Sequence, residues 1–231
     1  MVEVIIVNLS DKLPFQYDYL KCISYEKRIR ILKYINEADK KRSLMSELLI
    51  RKAASDKLCI PAKRVNISYN PYGKPYIDNE RYFNFNISHS ESYVVIAISR
   101  YKIGIDIEKN KKTDFAIAER FFTKNEYQYI KSFTTEPDRI NAFYMLWTLK
   151  ESYVKALGKG LSIPLNSFEF EIDNSIHIRN QKENMKFLFS STRIYDYTLS
   201  LSHQEKEIKY TFLNEIDIYC YYKDMVTNNE K

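Results

Sequence analysis

Three carboxylates and one lysine in this sequence are spaced so that they could bind a divalent cation and a phosphate group. Asp106 and Glu108 alternate with isoleucines, so a strand would turn both acids to the same face. Glu151 and Lys155 are four residues apart in a segment of helical spacing, and on a helix they would stack on one face. If the strand and the helix pack together, three acids converge beside a positive charge.

This set of side chains is typical of magnesium and pyrophosphate chemistry. Hard cations such as Mg²⁺ take oxygen ligands, keep several waters and share a few carboxylates with the phosphates of a substrate. The spacing therefore predicts Asp106, Glu108 and Glu151 as ligands of Mg²⁺, with Mn²⁺ as an alternative, and Lys155 as a group near the phosphates. Taken alone, the strand acids could equally be the solvated face of an edge strand, and Glu151 and Lys155 an exposed ion pair.

Four strings around these residues, in a fixed order, resemble the 4′-phosphopantetheinyl transferases. The similarity is to the long, pseudo-dimeric branch of that family, which modifies the carrier proteins of peptide synthetases, and it runs in unbroken order from about 27 to 166. The strings are Gly73-Lys-Pro75, Phe85-Asn-Ile-Ser-His-Ser90, Arg120-Phe-Phe-Thr-Lys-Asn-Glu-Tyr127 and Gly158-Lys-Gly-Leu-Ser-Ile-Pro-Leu-Asn166.

The resemblance implies an α+β fold of two similar α/β lobes, related by a pseudo-twofold axis, with the cofactor in the cleft between them. We expect an N-terminal lobe over residues 1–101, a C-terminal lobe with the metal site over 102–226, and a disordered tail at 227–231.

The reaction that the resemblance implies is transfer of 4′-phosphopantetheine from coenzyme A to a serine of an apo carrier protein, with release of adenosine 3′,5′-bisphosphate. The three acids would hold a metal on the pyrophosphate while the serine oxygen attacks the β-phosphorus. Glu151 is the preferred general base, although a liganded carboxylate is a weak base and the assignment stays open. Lys155 would stabilise the leaving side.

Further residues are implied around the phosphates of coenzyme A. The N-terminal part of the match is looser, and one arginine stands where the family has a lysine. The resemblance assigns phosphate contacts to Lys74, Ser88 and His89 and, in the looser part, to Lys27, Arg30 and Arg42.

Several other residues near these strings have less defined expectations. Glu126 lies in the third string and could be a ligand, a base or a solvated carboxylate. His177 and His203 match no functional position and are predicted to lie on the surface. Aromatic residues at the start of the second lobe are predicted to dock the carrier; they are Phe115, Phe121 and Phe122.

The composition is that of an ordinary globular protein, with 45% hydrophobic residues and a net charge of +6. No apolar run reaches bilayer length and no signal peptide is evident, so we expect a cytoplasmic protein that does not bind a membrane. The two-lobed length indicates a monomer, and the acidic residues argue against a nucleic-acid partner. Its three cysteines are isolated and predicted to be reduced thiols. Two other classes stay open, namely a nucleic-acid-binding module that stacks bases on its tyrosines and a magnesium-dependent nucleotide pyrophosphohydrolase.

The hydrophobic pattern predicts helices at 25–35 and 37–58 and helical segments up to about 126 and at 136–157, with strands between them. Three of the four glycines fall inside the strings above, and the fourth, Gly104, lies in the segment of Asp106 and Glu108, where it is predicted to mark a close backbone approach within a strand. The last third is predicted to be β, with strands at 168–172, 186–189, 197–201, 210–213 and 216–221.

Overall fold

The protein is described from a computed structural model that covers residues 1–181 and 185–227. Its α-helices are α1 (Tyr25–Leu32), α2 (Glu37–Leu58), α3 (Ala116–Phe121), α4 (Lys124–Ser132), α5 (Glu136–Leu157) and α6 (Glu215–Thr227). Its strands are β1 (Val2–Asn8), β2 (Ile67–Tyr69), β3 (Pro75–Ile77), β4 (Asn84–Ser90), β5 (Tyr93–Ser99), β6 (Gly104–Lys109), β7 (Glu169–Ile172), β8 (Ile176–Arg179), β9 (Leu188–Ile194), β10 (Tyr197–His203) and β11 (Ile208–Asn214).

Two main sheets form the centre of the molecule and confirm the predicted α+β class. The first has the strand order β11-β1-β5-β4, and the second has the order β6-β10-β9. Strand β1 pairs antiparallel with β5 and parallel with β11. Two small hairpins, β2-β3 and β7-β8, complete the β structure of the part of the chain that is described.

A long helix packs against each sheet. Helix α2 lies against β4 and β5, and helix α5 lies against β6 and β10. Both helices have 22 residues and begin at a polar side chain, Asn36 or Thr135, that accepts a hydrogen bond from the first turn. This arrangement gives each half of the molecule a sheet and one long helix, which is compatible with the predicted pseudo-twofold relation.

An apolar core joins the two sheets to each other. It is built from strand residues of both halves, and Val4, Val95, Ile105, Ile107 and Leu199 are all at most 1% exposed within it. Burial of apolar surface is the main favourable contribution to folding. The two sheets are therefore held together by packing rather than by a linker, and the cleft between their helices has a defined shape.

Helix α5 approaches β6 unusually closely at Gly104. A Cβ atom at this position would lie 1.8 Å from the carbonyl oxygen of Ser152 and 2.5 Å from the amide nitrogen of Ala156. Beside this contact the hydroxyls of Ser152 and Ser202 are hydrogen-bonded at 2.9 Å. The close approach predicted for Gly104 is confirmed, and its partner is the backbone of the helix that carries Glu151 and Lys155.

The C-terminal segment differs from the sequence prediction in two respects. Residues 216–221 lie in α6 and not in a strand, because Ile218, Tyr219 and Tyr222 form the buried side of a helix. Moreover, β11 pairs with β1, and α6 packs into the core of the first lobe. Part of the span 102–226 thus completes the N-terminal half. The predicted strand at 186–189 begins later, in β9, and residues 228–231 of the predicted tail lie outside the described residues.

None of the helices within residues 1–181 and 185–227 combines the length and the hydrophobicity that crossing a membrane requires.

Candidate active site

Strand β6 and helix α5 bring Asp106, Glu108, Glu151 and Lys155 together, as the sequence spacing predicted. All four side chains line one cleft of about 540 Å³ where the two lobes meet. Trp147, one turn before Glu151 on α5, lines the same cleft. A strand of period two and a helix of period 3.6 thus present their functional faces to the same space.

Asp106 is the most enclosed of the three acids, with 3% of its surface exposed. Its Oδ1 accepts hydrogen bonds from Nζ of Lys155 at 2.5 Å and from the hydroxyl of Ser88 at 2.9 Å. Its Oδ2 is buried and has no hydrogen-bond partner among the residues that the structure describes. A buried carboxylate oxygen without a partner is costly, and a cation or a water in the cleft would satisfy it.

Two acids of the cleft, Glu108 and Glu151, have raised pKa values. The pKa of Glu108 rises to about 7, first because of burial and then because of the negative charge of Asp106. The pKa of Glu151 is raised for the same two reasons in the same order. The lining of the cleft contains four acids, Glu47 included, and two lysines, Lys27 and Lys155, so the cleft is short of positive charge. This donor set and its charge fit a hard divalent cation.

The three acids do not form a complete metal-binding site in their present positions. Within residues 1–181 and 185–227, no group of three or more His, Cys, Asp or Glu side chains is arranged to hold a metal ion. Magnesium usually takes only one or two carboxylates and completes its shell with water and substrate phosphate. Ligation by Asp106, Glu108 and Glu151 therefore stays a prediction, and the residues present are compatible with it.

The two lobes meet at this cleft through side chains of β4 and backbone of β6. Successive alternate N–H groups of β6 donate to side-chain oxygens of Asn86, Ser88 and Ser90 at 2.8, 3.4 and 3.1 Å. These side-chain oxygens take the place of the backbone carbonyls that would accept these hydrogen bonds in a continuous sheet. Ser88, predicted at the phosphates of coenzyme A, here contacts Asp106 and also accepts from Lys155 at 3.0 Å.

Lys74 occupies a different position from the one expected of a phosphate ligand. Its Nζ donates to the backbone oxygens of Ile103, Lys155 and Ala156 at 3.0, 2.6 and 3.3 Å. Burial and then the charge of Lys102 lower its pKa to about 8. The lysine thereby caps the last carbonyls of α5, and its phosphate contact stays a prediction.

The other predicted phosphate residues are spread along the first lobe. Lys27 and His89 line the cleft, and burial is the main reason that the pKa of each is lowered. Nζ of Lys27 is 4.0 Å from Oε2 of the buried Glu47. Arg42 lines a second cleft, of about 530 Å³. Arg30 is exposed and lines neither cleft.

Glu126, whose role the sequence left open, makes contacts that hold the structure together. It is 2% exposed and lies 2.8 Å from Nζ of the fully buried Lys150. Its carboxylate also accepts the N–H groups of Thr123 and Phe170 at 2.8 Å each. The side chain thus closes a capping box at the start of α4 and binds α4 to α5 and β7.

Two surface predictions are wrong. Phe122 is 4% exposed and packs against Phe143, with 5.5 Å between ring centroids, so it does not present a docking surface. His203 is 4% exposed, and its Nδ1 lies 2.7 Å from the backbone oxygen of Glu205. His177 is exposed, as predicted.

Sequence reasoning missed Ser90 and Asn70. Ser90 donates to Oε2 of Glu108 at 2.9 Å, and its signal was available, because it follows Ser88 at the strand period of two. Asn70 closes the Gly73 turn and donates to the backbone oxygen of Gly158 at 2.8 Å. That contact joins the turn that contains Gly73 to the string that begins at Gly158, and it carries no signal in the sequence itself.

Comparison with known proteins gives consistent results over most of the chain. Residues 102–211 match the model of the 4′-phosphopantetheinyl transferase superfamily, and residues 14–100 match that of the 4′-phosphopantetheinyl transferase N-terminal region. The 4′-phosphopantetheinyl transferase gsp of Aneurinibacillus migulanus is 40% identical over 188 residues, 79% of this chain and 78% of that protein.

Two further relatives extend the comparison. The 4′-phosphopantetheinyl transferase Sfp of Bacillus subtilis strain 168 is 38% identical over 67% of this chain and 68% of its own length. The mouse L-aminoadipate-semialdehyde dehydrogenase-phosphopantetheinyl transferase is 35% identical over 69% of this chain and 57% of its own length. This chain belongs to the 4′-phosphopantetheinyl transferase superfamily, and it is similar to the Sfp-type members of that family.

Proposed function

We propose that this protein transfers the 4′-phosphopantetheine group of coenzyme A to a serine of an apo carrier protein. The observation that supports this most directly is the cleft at the lobe boundary, where Asp106, Glu108, Glu151 and Lys155 face Lys27 from the other lobe. Acidic residues suit a cation that screens phosphates, and lysines suit the phosphates themselves. The cleft thus has the two kinds of group that a pyrophosphate substrate requires.

The reaction exchanges one phosphorus–oxygen bond for another. The serine oxygen of the carrier forms a bond to the β-phosphorus, and the bond from that phosphorus to the bridging oxygen breaks. Adenosine 3′,5′-bisphosphate leaves with the bonding electrons, and the serine proton passes to a base. Positioning and charge stabilisation account for most of the catalysis in phosphoryl transfer.

Glu151 is the base that we propose. Its raised pKa makes the carboxylate a better proton acceptor than an ordinary glutamate. The side chain is carried on α5, whose position is fixed by the contact of Ser152 and Ala156 with Gly104. A base on a helix packed this tightly keeps its distance to the substrate, which general base catalysis needs.

Lys155 supplies positive charge on the leaving side. In the structure its Nζ is shared between Asp106 and the hydroxyl of Ser88, so the charge is already in the cleft before a substrate arrives. A Mg²⁺ or Mn²⁺ ion held by the acids would, when bound, neutralise pyrophosphate charge. The ammonium group of Lys155 would then be free to contact phosphate oxygens.

The second substrate is a carrier protein or carrier domain of peptidyl, polyketide or fatty acid type, and the enzyme acts as a monomer. The net charge of +6 favours an acidic partner surface and an association that salt weakens. Phe115 and Phe121 stay candidates for the docking surface, because both side chains are partly exposed.

The test is intact-mass analysis of apo carrier proteins incubated with the protein, coenzyme A and Mg²⁺. We expect a mass gain of one phosphopantetheine that EDTA abolishes, and no gain on a carrier whose acceptor serine is replaced by alanine. Absence of a gain on peptidyl, polyketide and fatty acid carriers alike would refute the proposal. Release of bisphosphate without any acceptor would indicate a hydrolase instead.

A further inference from the structure

Ser90 makes two hydrogen bonds that lead directly to one of the cleft acids. Its Oγ accepts the backbone N–H of Lys109 at 3.1 Å and donates to Oε2 of Glu108 at 2.9 Å. A serine hydroxyl has one hydrogen and two acceptor positions. Since the backbone N–H occupies an acceptor position, the hydroxyl hydrogen is directed to the carboxylate, and the orientation of the serine is fixed by the strand.

The same geometry occurs one repeat earlier on the two strands. Ser88 accepts the backbone N–H of Ile107 at 3.4 Å and donates to Oδ1 of Asp106 at 2.9 Å. The two serines are two residues apart on β4, and the two acids are two residues apart on β6. Each strand period of the first lobe therefore supplies one hydroxyl to one carboxylate of the second lobe.

A serine–carboxylate bond across the molecule can also serve cohesion alone, and the chain contains such a case. Ser99 on β5 donates to Oε2 of Glu205 at 2.6 Å. Glu205 does not line the cleft of the three acids, whereas Glu108 does. The two bonds have the same chemistry, although their partners are 18 residues apart in one case and 106 in the other. Glu108, the acceptor of Ser90, differs from Glu205 because its side chain lines the cleft and can direct its second oxygen to a ligand there.

We propose that Ser90 is a positioning residue that holds the carboxylate of Glu108 in place for cation binding. The first lobe thereby orients a metal-binding side chain of the second lobe. The inference rests on the metal site of the proposed function. Partners that hydrogen-bond to metal ligands fix the ligand orientation, and their loss typically weakens metal affinity about 10- to 100-fold.

The experiment compares Mn²⁺ binding by the wild-type protein and by Ser90→Ala, Ser90→Thr and Ser99→Ala. Electron paramagnetic resonance of free Mn²⁺ during titration, with coenzyme A present and no carrier, reports affinity without turnover. We expect Ser90→Ala to weaken Mn²⁺ binding about 10-fold or more and Ser90→Thr, which keeps the hydroxyl, to restore it. Ser99→Ala removes an equivalent bond away from the cleft and should leave the affinity unchanged.

Equal Mn²⁺ affinity in the wild-type protein and Ser90→Ala would overturn the inference, as would equal losses in Ser90→Ala and Ser99→Ala, because the serine would then serve cohesion alone. A wild-type protein that binds no Mn²⁺ would overturn it too. Carrier modification is scored separately. If the wild-type protein modifies the carrier and Ser90→Ala binds Mn²⁺ as tightly as the wild type, the role of Ser90 is refuted and the proposed function stands. If Mn²⁺ binding depends on Ser90 but no carrier is modified, the role of Ser90 stands and the proposed function is refuted.

Discussion

The two long helices of this protein have the same length and place their charged side chains differently. Helix α2 pairs its buried charges within the first lobe, where Arg51 binds Glu47 at 3.0 Å and Lys41 binds Glu215 at 2.9 Å. Helix α5 places one pair of this kind, Lys155 with Asp106 at 2.5 Å, in the cleft. Beside that pair the pKa values of Glu108 and Glu151 are raised, first because of burial and then because of the charge of Asp106. Helix α2 thus neutralises its buried charges inside one lobe, whereas α5 adds an acid to a cleft in which the acids outnumber the lysines.

The attachment of the two helices differs as well. Helix α5 lies on β6 at backbone distance because Gly104 has no side chain, whereas α2 meets its sheet through ordinary apolar side chains such as Leu48. A helix held by backbone contact has less freedom to shift. The site residues therefore lie on the more tightly fixed of the two helices.

The largest effect is expected from Glu151→Gln, which removes the proposed base and keeps the shape of the side chain. Carrier modification should fall by about 10²- to 10⁴-fold, the usual contribution of a positioned acid or base. Initial rates by mass spectrometry measure the loss, and an unchanged thermal midpoint shows that the fold is intact. A Glu151→Gln protein of wild-type activity would refute the mechanism.

Breaking the buried ion pair that anchors α5 should come next. Lys150→Met leaves the carboxylate of Glu126 buried without its cation and should destabilise the protein by about 3–5 kcal/mol. Urea denaturation measures this difference. The double variant with Glu126→Gln should recover part of the loss, since no buried charge remains. A single variant as stable as the wild type would show that the pair does not anchor α5.

Gly104→Ala tests the close approach of α5 to β6. The new methyl group overlaps the backbone of Ser152, and overpacking of this kind destabilises by about 1–3 kcal/mol or more. Gly73→Ala is the matched control, because its φ is +83° but its Cβ would meet nothing within 4 Å. Only Gly104→Ala should also reduce carrier modification. Equal activity in both variants would contradict a role for the contact in placing Glu151.

Lys74 should make stability depend on pH above neutrality. Its pKa is about 8 in the folded protein and about 10.4 when unfolded, so between these values the unfolded chain binds the extra proton. The unfolding free energy then rises with pH. We expect the wild-type protein to gain stability relative to Lys74→Met from about pH 8 to pH 10 in denaturant titrations. A parallel pH dependence of the two proteins would contradict the lowered pKa.

The smallest effect concerns the ends of the two helices. Both end in a left-handed residue, Cys59 with φ of 54° on α2 and Gly158 with φ of 69° on α5. Cys59→Gly should stabilise the protein by up to about 1 kcal/mol, and Gly158→Ala should destabilise it by a similar amount. Thermal melts compare them. A change of stability in the same direction in both variants would contradict the preference of both helix ends for glycine.

The local sequence pattern was sufficient to predict the acids and the strand and helix on which they lie. The alternation around Asp106 and the four-residue spacing of Glu151 and Lys155 specify a strand face and a helix face. The four strings in family order then predicted that these two faces line a cleft between two lobes.

Non-local structure was not available from the sequence. The alternating apolar residues from Ile216 onward fit a strand, but α6 forms because Asp217 accepts the N–H of Asn214 at 2.7 Å and the buried side follows a helix. Nothing local indicates that β11 pairs with β1 across about 200 residues. The contacts of Lys74 and the burial of Phe122 depend likewise on how distant elements pack.

The most direct test of the account is a crystal structure of the protein with Mn²⁺ and coenzyme A, with the ion located by anomalous scattering. We predict one Mn²⁺ in the cleft, with oxygens of Asp106 and Glu108 and a pyrophosphate oxygen at about 2.0–2.6 Å and the hydroxyl of Ser90 still hydrogen-bonded to Glu108. Coenzyme A bound elsewhere, or a cleft in which Lys155 keeps Asp106 and no Mn²⁺ binds, would contradict it.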